Sequence, residues 1–133
     1  MSTPLDIGEV VRRTGVPVST LHVWERHGLI APVGRAGLRR QYDAGVLDRI
    51  AMIIVGQRAG FSLAELDALL DRATFEQEGK ATLRAKIAEL RARQAELELA
   101  ITSLEHAVAC PHAVPIDCPT FTAMLDGVLP TRR

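Results

Sequence analysis

The sequence predicts a mainly α fold: a winged helix-turn-helix domain followed by one long coiled-coil helix and a cysteine-containing loop. Three observations predict it. The composition is 47% hydrophobic, carried by Leu, Ile, Val and Ala, with only 4% aromatics, which favours helices over a β-sandwich. Two short helical segments near the N-terminus are joined by a proline-containing turn and bounded by glycines. Finally, apolar residues recur at alternating steps of four and three from Leu83 to Val108, the heptad pattern of a helix that pairs with another helix.

The elements follow in order. Ile7–Thr14 reads as a first helix, with Asp6 placed to cap its start and Gly15 to end it. Pro17 lacks an N–H and marks the turn. Val18–His27 reads as a second helix, ended by Gly28. Such a pair with a tight turn between its helices is a helix-turn-helix unit. The stretch 31–42, APVGRAGLRRQY, holds one Pro, two Gly and three Arg and reads as a β-hairpin or loop with a basic tip. A third helix fits Ala44–Ala59. A fourth starts at Ser62, where Ser62 and Glu65 form a capping box, and runs to about Ala73.

The longest helix is expected after Gly79. Its seam is Leu83, Ile87, Leu90, Leu97, Ile101, Leu104 and Val108, with Gln94 as the single polar member. At ~1.5 Å per residue, a helix of about 30 residues is near 45 Å long, too long to bury its stripe in so small a protein. A second copy of the chain is the simplest partner, and Gln94 is placed to fix register. The expected division is 1–75 for the DNA-binding domain, 76–109 for the dimerisation helix, and 110–133 for an effector loop and tail.

Charge narrows the partner. Of the 133 residues, 16 are basic and 16 acidic, so the net is zero. Residues 1–60 nevertheless carry eight arginines against five acids, while residues 61–110 carry six basic against nine acidic residues. A basic front half rich in Arg is the footprint of a nucleic-acid module. Arg35, Arg39 and Arg40 on the hairpin are expected on phosphates or in the minor groove, with Arg12 and Arg13 adding backbone contacts. On the second helix, Ser19, Thr20, His22 and Trp24 are placed for the major groove and its phosphates. For Trp24 a core role competes equally. Tyr42, at the end of the hairpin, joins the DNA-binding set. Glu25 is expected to hold an arginine.

Two cysteines are too few for a disulfide scaffold or for a four-cysteine cluster. The start, MSTPLDIGEVVRR, lacks the basic-then-apolar pattern of a leader, and the run Ile50–Val55 is too short to span a bilayer. The expected setting is cytoplasmic, with reduced thiols and no membrane partner. Cys110 and Cys118 are the effector candidates. Two thiolates on one loop suit a Cu(I)-like soft ion or a reversible disulfide. His106 and His112 would complete a Zn²⁺ site with them. Thiols that pack and bind nothing are the bland alternative.

Three stretches together resemble the MerR family of bacterial transcription regulators. They are IGEVVRRTG (residues 7–15), VSTLHVWERHGLI (18–30) and the helix pair around QRAGFSL (57–63). Residues 7–66 are most similar to SoxR-like members, with Leu21-His22 as a shared pair. Cys110 and Cys118 match two of the four cluster cysteines there, while Ala107 and His112 stand in the other two places, so no cluster is carried over. The Cys-Pro and Asp-Cys-Pro steps, with seven residues between the two cysteines, resemble CueR-like copper sensors. Family metal sensors place a Cys or Ser where this chain has Phe75. An apolar Phe75 over the loop would raise the thiol pKa values. The resemblance implies a homodimer on a pseudo-palindromic operator within a promoter of over-long spacer. It also implies RNA polymerase as a partner and DNA distortion as the regulatory device. An effector-independent architectural DNA-binding protein and, less favoured, a small thiol or metal enzyme are the alternatives.

Overall fold

The structure is a computed structural model that describes residues 3–126 and 128–129; the end of the 110–133 segment, at 127 and 130–133, lies outside the described residues. The chain separates into two compact units, Met1–Lys86 and Ile87–Arg133.

In the first unit a short strand β1 (Leu5–Asp6) leads into α1 (Ile7–Thr14). Asp6 caps α1, its carboxylate accepting the Glu9 N–H at 2.9 Å. Helix α2 (Val18–Arg26) follows Pro17. The wing is β2 (Gly34–Ala36) and β3 (Arg39–Tyr42), joined through Gly37 and Leu38. Gly37 has φ +63° while Leu38 stays at negative φ, so the two-residue turn depends on glycine at its first position. All strand pairs are antiparallel and the order is β1-β3-β2. Register sets Arg35 opposite Arg40 and Ala36 opposite Arg39.

Helices α3 (Val46–Arg58) and α4 (Leu63–Leu70) close the core. Ser62 caps α4 by accepting the Glu65 N–H at 3.1 Å, the hydroxyl half of the expected capping box. The core joins Val10, Leu21, Trp24, Leu29, Tyr42, Ile50, Ile53 and Leu66 from α1, α2, β3, α3, α4 and the loop after α2. Arg49 ties that loop down by donating from Nε to the Leu29 carbonyl.

The long helical run begins earlier than its sequence pattern indicates. Gly79 is not a boundary. Asp71 caps the run, accepting the Thr74 N–H at 2.8 Å, and α5 (Arg72–Thr74) passes through a π-helical turn (Phe75–Gly79) directly into α6 (Lys80–Ala109). Gly79 serves a close approach: a Cβ there would lie inside the Phe75 ring. The Phe75 ring thus occupies the space that any other residue at 79 would fill.

Helix α6 has 30 residues and buries none of them within the chain. Its seam residues Leu83, Ile87, Leu90, Leu97, Ile101, Leu104 and Val108 are all exposed. Gln94 is exposed among them. After α6 a 3₁₀ turn (Pro115–Asp117) returns the chain to α7 (Pro119–Met124). Among the described residues no helix is long and apolar enough to cross a membrane.

Candidate nucleic-acid interface and thiol–imidazole cluster

Side-chain alternation along β3 sorts the wing residues. Arg40 and Tyr42 share the face turned toward α2, and Arg39 lies on the other. Arg40 reaches α2, with Nε 3.2 Å from Glu25 Oε1 and Nη1 3.0 Å from His22 Nε2. An arginine only donates, so His22 Nε2 accepts that bond. Glu25 holds an arginine, as expected, and it also offsets the cation that strand register sets opposite Arg35.

Arg39 is largely exposed and meets Asp6 at 3.4 Å. Arg35 is exposed and makes no ion pair among the described residues. Arg12 and Arg13, on the last turn of α1, both engage Glu9, at 2.5 and 2.7 Å. Arg12 first, then Arg13, holds the Glu9 carboxyl below the usual carboxylate range. Ser19 is exposed and Thr20 half-buried on the first turn of α2. Ser19, His22, Glu25, Arg26 and Arg40 line one open concavity.

Two expected DNA contacts lie elsewhere. Trp24 is 3% exposed and Tyr42 0%, both within the core. As folded, neither presents surface to a duplex. Trp24 shares its face of α2 with Leu21, the helix's other buried residue, and Tyr42 alternates inward on β3. Burial raises the Tyr42 phenol pKa, and its hydroxyl has no hydrogen-bond partner among the described residues.

Two surface residues escaped the sequence reading. Arg26 joins the concavity beside Arg40. Leu38 stands 96% exposed at the wing tip, between Gly37 and Arg39. An apolar residue inside a Gly-Leu-Arg turn was the available signal.

The second unit gathers the sulfur and imidazole groups. His106 in the last turns of α6, Cys110 just beyond it, and Cys118 at the start of α7 place their ligand atoms within 4.8 Å of one another. His106 Nε2 lies 3.3 Å from Cys118 Sγ, and its ring stacks on Phe121 at 6.3 Å and 13°. His112 Nδ1 lies 3.3 Å from Cys110 Sγ, outside that three-residue group.

Cys118 is buried, yet its pKa is lowered to about 6. The His106 bond is the largest cause, followed by the Phe121 N–H; burial opposes, and Cys110 and the Thr120 N–H add to the lowering. The raised thiol pKa expected from apolar surroundings is therefore reversed. Donated hydrogen bonds stabilise the thiolate more than desolvation destabilises it. Two sulfurs and one imidazole nitrogen in such proximity fit a thiophilic ion.

Comparison with known proteins agrees with this architecture. The profile of the MerR HTH family regulatory proteins matches residues 5–73, and the profile described as MerR, DNA binding matches residues 47–107. The chain is 41% identical over 66 residues to an HTH-type transcriptional activator SoxR homolog of Chromobacterium violaceum. That match covers 50% of this chain and 45% of the relative, so the chain matches less than half of that protein's length. It is 30% identical over 125 residues to a mercuric resistance operon regulatory protein of Shigella flexneri, covering 90% of this chain and 87% of that one. Among solved structures, HiNmlR, a MerR family regulator lacking the sensor domain and bound to promoter DNA, superimposes with a TM-score of 0.60. It is 19% identical, and the match covers 81% of this chain and 95% of that one. The chain belongs to the MerR family of DNA-binding transcriptional regulators.

Proposed function

We propose that this regulator acts as a homodimer on a pseudo-palindromic promoter operator and changes transcription when a thiophilic metal ion occupies the Cys110–Cys118 loop. The observation that carries the effector reading is the convergence of His106, Cys110 and Cys118 within 4.8 Å. Soft thiolates select soft ions, and a thiolate already favoured at Cys118 lowers the proton competition that a metal meets.

The uncovered stripe of α6 supports the dimer. A row of exposed apolar residues at heptad spacing is stabilised by a second identical row, and two-fold pairing then presents two recognition helices and two wings to a symmetric site. Arg35 and Arg39 are the exposed wing cations for phosphate contact, with Ser19 and Thr20 at the start of α2. Arg12 and Arg13 reach backbone phosphates by exchanging Glu9 for them. Effector occupancy acts as a population shift between two dimer geometries on deformed DNA, through which RNA polymerase reads the promoter.

The test uses reduced protein, its operator duplex and a transcription assay. Cu(I) is expected to change promoter output with wild type, while the Cys110→Ser, Cys118→Ser and double variants bind DNA and fail to respond. Oxidation is the competing effector, favoured by the same sulfur proximity; a response to mild oxidant and not to Cu(I) would select it. Normal regulation by the double variant would place the effector elsewhere.

A further inference from the structure

We infer that His106 is a metal ligand, and that it converts the Cys110–Cys118 pair into a three-donor site, two sulfurs and one nitrogen, completed within one chain and suited to a soft monovalent ion. This rests on the metal reading of the loop proposed above.

The placement follows from local structure. His106 and Cys110 are four residues apart at the end of α6, a spacing that puts two side chains on one helical face. The 3₁₀ turn at Pro115–Asp117 brings Cys118 back to that face. The imidazole is held in place by stacking on Phe121 and by its 3.3 Å approach to Cys118 Sγ. Around one ion, with bonds of about 2.3 Å to sulfur and about 2.0 Å to nitrogen, three donors sit about 4 Å apart. The three atoms here already lie within 4.8 Å, so loading requires a contraction of less than about 1 Å. Ligation of the ion replaces the direct His106–Cys118 contact.

The donor set argues for the ion class. No carboxylate joins the group among the described residues. Hard cations that need oxygen ligands are disfavoured, and among the described residues the group holds no fourth donor for tetrahedral Zn²⁺. His112 touches Cys110 from outside the group, in the position of a residue that orients a ligand without binding the ion.

The experiment titrates the reduced, metal-free full chain anaerobically with Cu(I) against a chromophoric chelator, for wild type, His106→Ala, His112→Ala and Cys110→Ser. X-ray absorption of the wild-type complex gives the donor count independently of any variant. One Cu(I) per chain with two sulfurs and one nitrogen is expected. Removing a group that merely supports a ligand costs about 10–100-fold in affinity, so removing His106 should cost on the order of 100-fold or more. His112→Ala, which removes such a supporting group, should cost no more than about 10-fold, the low end of that range. A two-sulfur shell with unweakened His106→Ala would overturn the role of His106 and leave the metal reading intact. Equal losses from His106→Ala and His112→Ala, or tighter Zn²⁺ than Cu(I) binding, would overturn the three-donor monovalent assignment. Absence of any Cu(I) binding by wild type would overturn the metal reading itself.

Discussion

Arg40 on β3 and Glu25 on α2 form an ion pair at 3.2 Å across the joint between the wing and α2. Both side chains are partly shielded, 32% and 18% exposed, whereas Arg39 next to Arg40 is 73% exposed. One strand thus carries two adjacent arginines with different tasks. Arg40 braces the wing against α2, and Arg39 faces outward.

That contrast predicts opposite signatures. Arg40→Ala should lower stability by about 1 kcal/mol, the upper end for such pairs, and Arg39→Ala by close to zero. Salt dependence should reverse the order. Replacing Arg35 and Arg39 by Ala should flatten log K against log salt by about 0.9 for each phosphate left without its cation, and Arg40→Ala by less. Urea midpoints and filter-binding at several salt concentrations check both; a slope change confined to Arg40→Ala would sink the assignment.

Tyr42 offers a test of burial against DNA contact. Its hydroxyl is buried without a partner among the described residues. Tyr42→Phe should therefore leave stability unchanged or raise it by up to about 1 kcal/mol, while Tyr42→Ala should cost about 3–5 kcal/mol. Operator affinity of Tyr42→Phe should equal that of wild type. A clear loss of affinity at unchanged stability would mean that the hydroxyl reaches the duplex.

Metal-free Cys118 should titrate near pH 6 rather than at the ordinary thiol value of 9.0. The folded pKa lies below the unfolded one, so the associated stability is full above the unfolded value, shrinks as pH falls, and vanishes below about 6. Thiolate absorbance against pH reports the midpoint. His106→Ala should move it upward, because the His106 bond is the largest cause of the lowering. A midpoint indifferent to His106 would contradict the hydrogen bond.

The exposed α6 seam predicts the assembly. Leu90→Glu with Leu97→Glu places four carboxylates in a two-chain seam, where they are poorly solvated. Light scattering should show monomer or unfolded chain. An unchanged dimer mass would exclude this stripe as the interface.

Much of this fold is legible in the sequence because it is encoded locally. Asp6 and Ser62 cap helices by bonding an N–H three residues on, and the heptad stripe is a periodicity within one helix. The start of the long helix is less legible. Gly79 reads as a stop, but its missing Cβ accommodates the Phe75 ring, and Asp71 supplies the cap.

The order of elements, the caps, the basic wing and the unpartnered seam are all written into the residue order, since each depends on residues within a turn or a repeat of one another. Which of these residues face outward is settled only by the folded chain. Arg40 meets His22 across 18 positions, and His106 meets Cys118 across 12. No local preference specifies such contacts; they arise when packing of the core turns Trp24 and Tyr42 inward, and when the chain returns after α6 to set sulfur against imidazole. Hydrogen bonding and periodicity act over a few residues, whereas burial and side-chain partners depend on how the whole chain closes on itself.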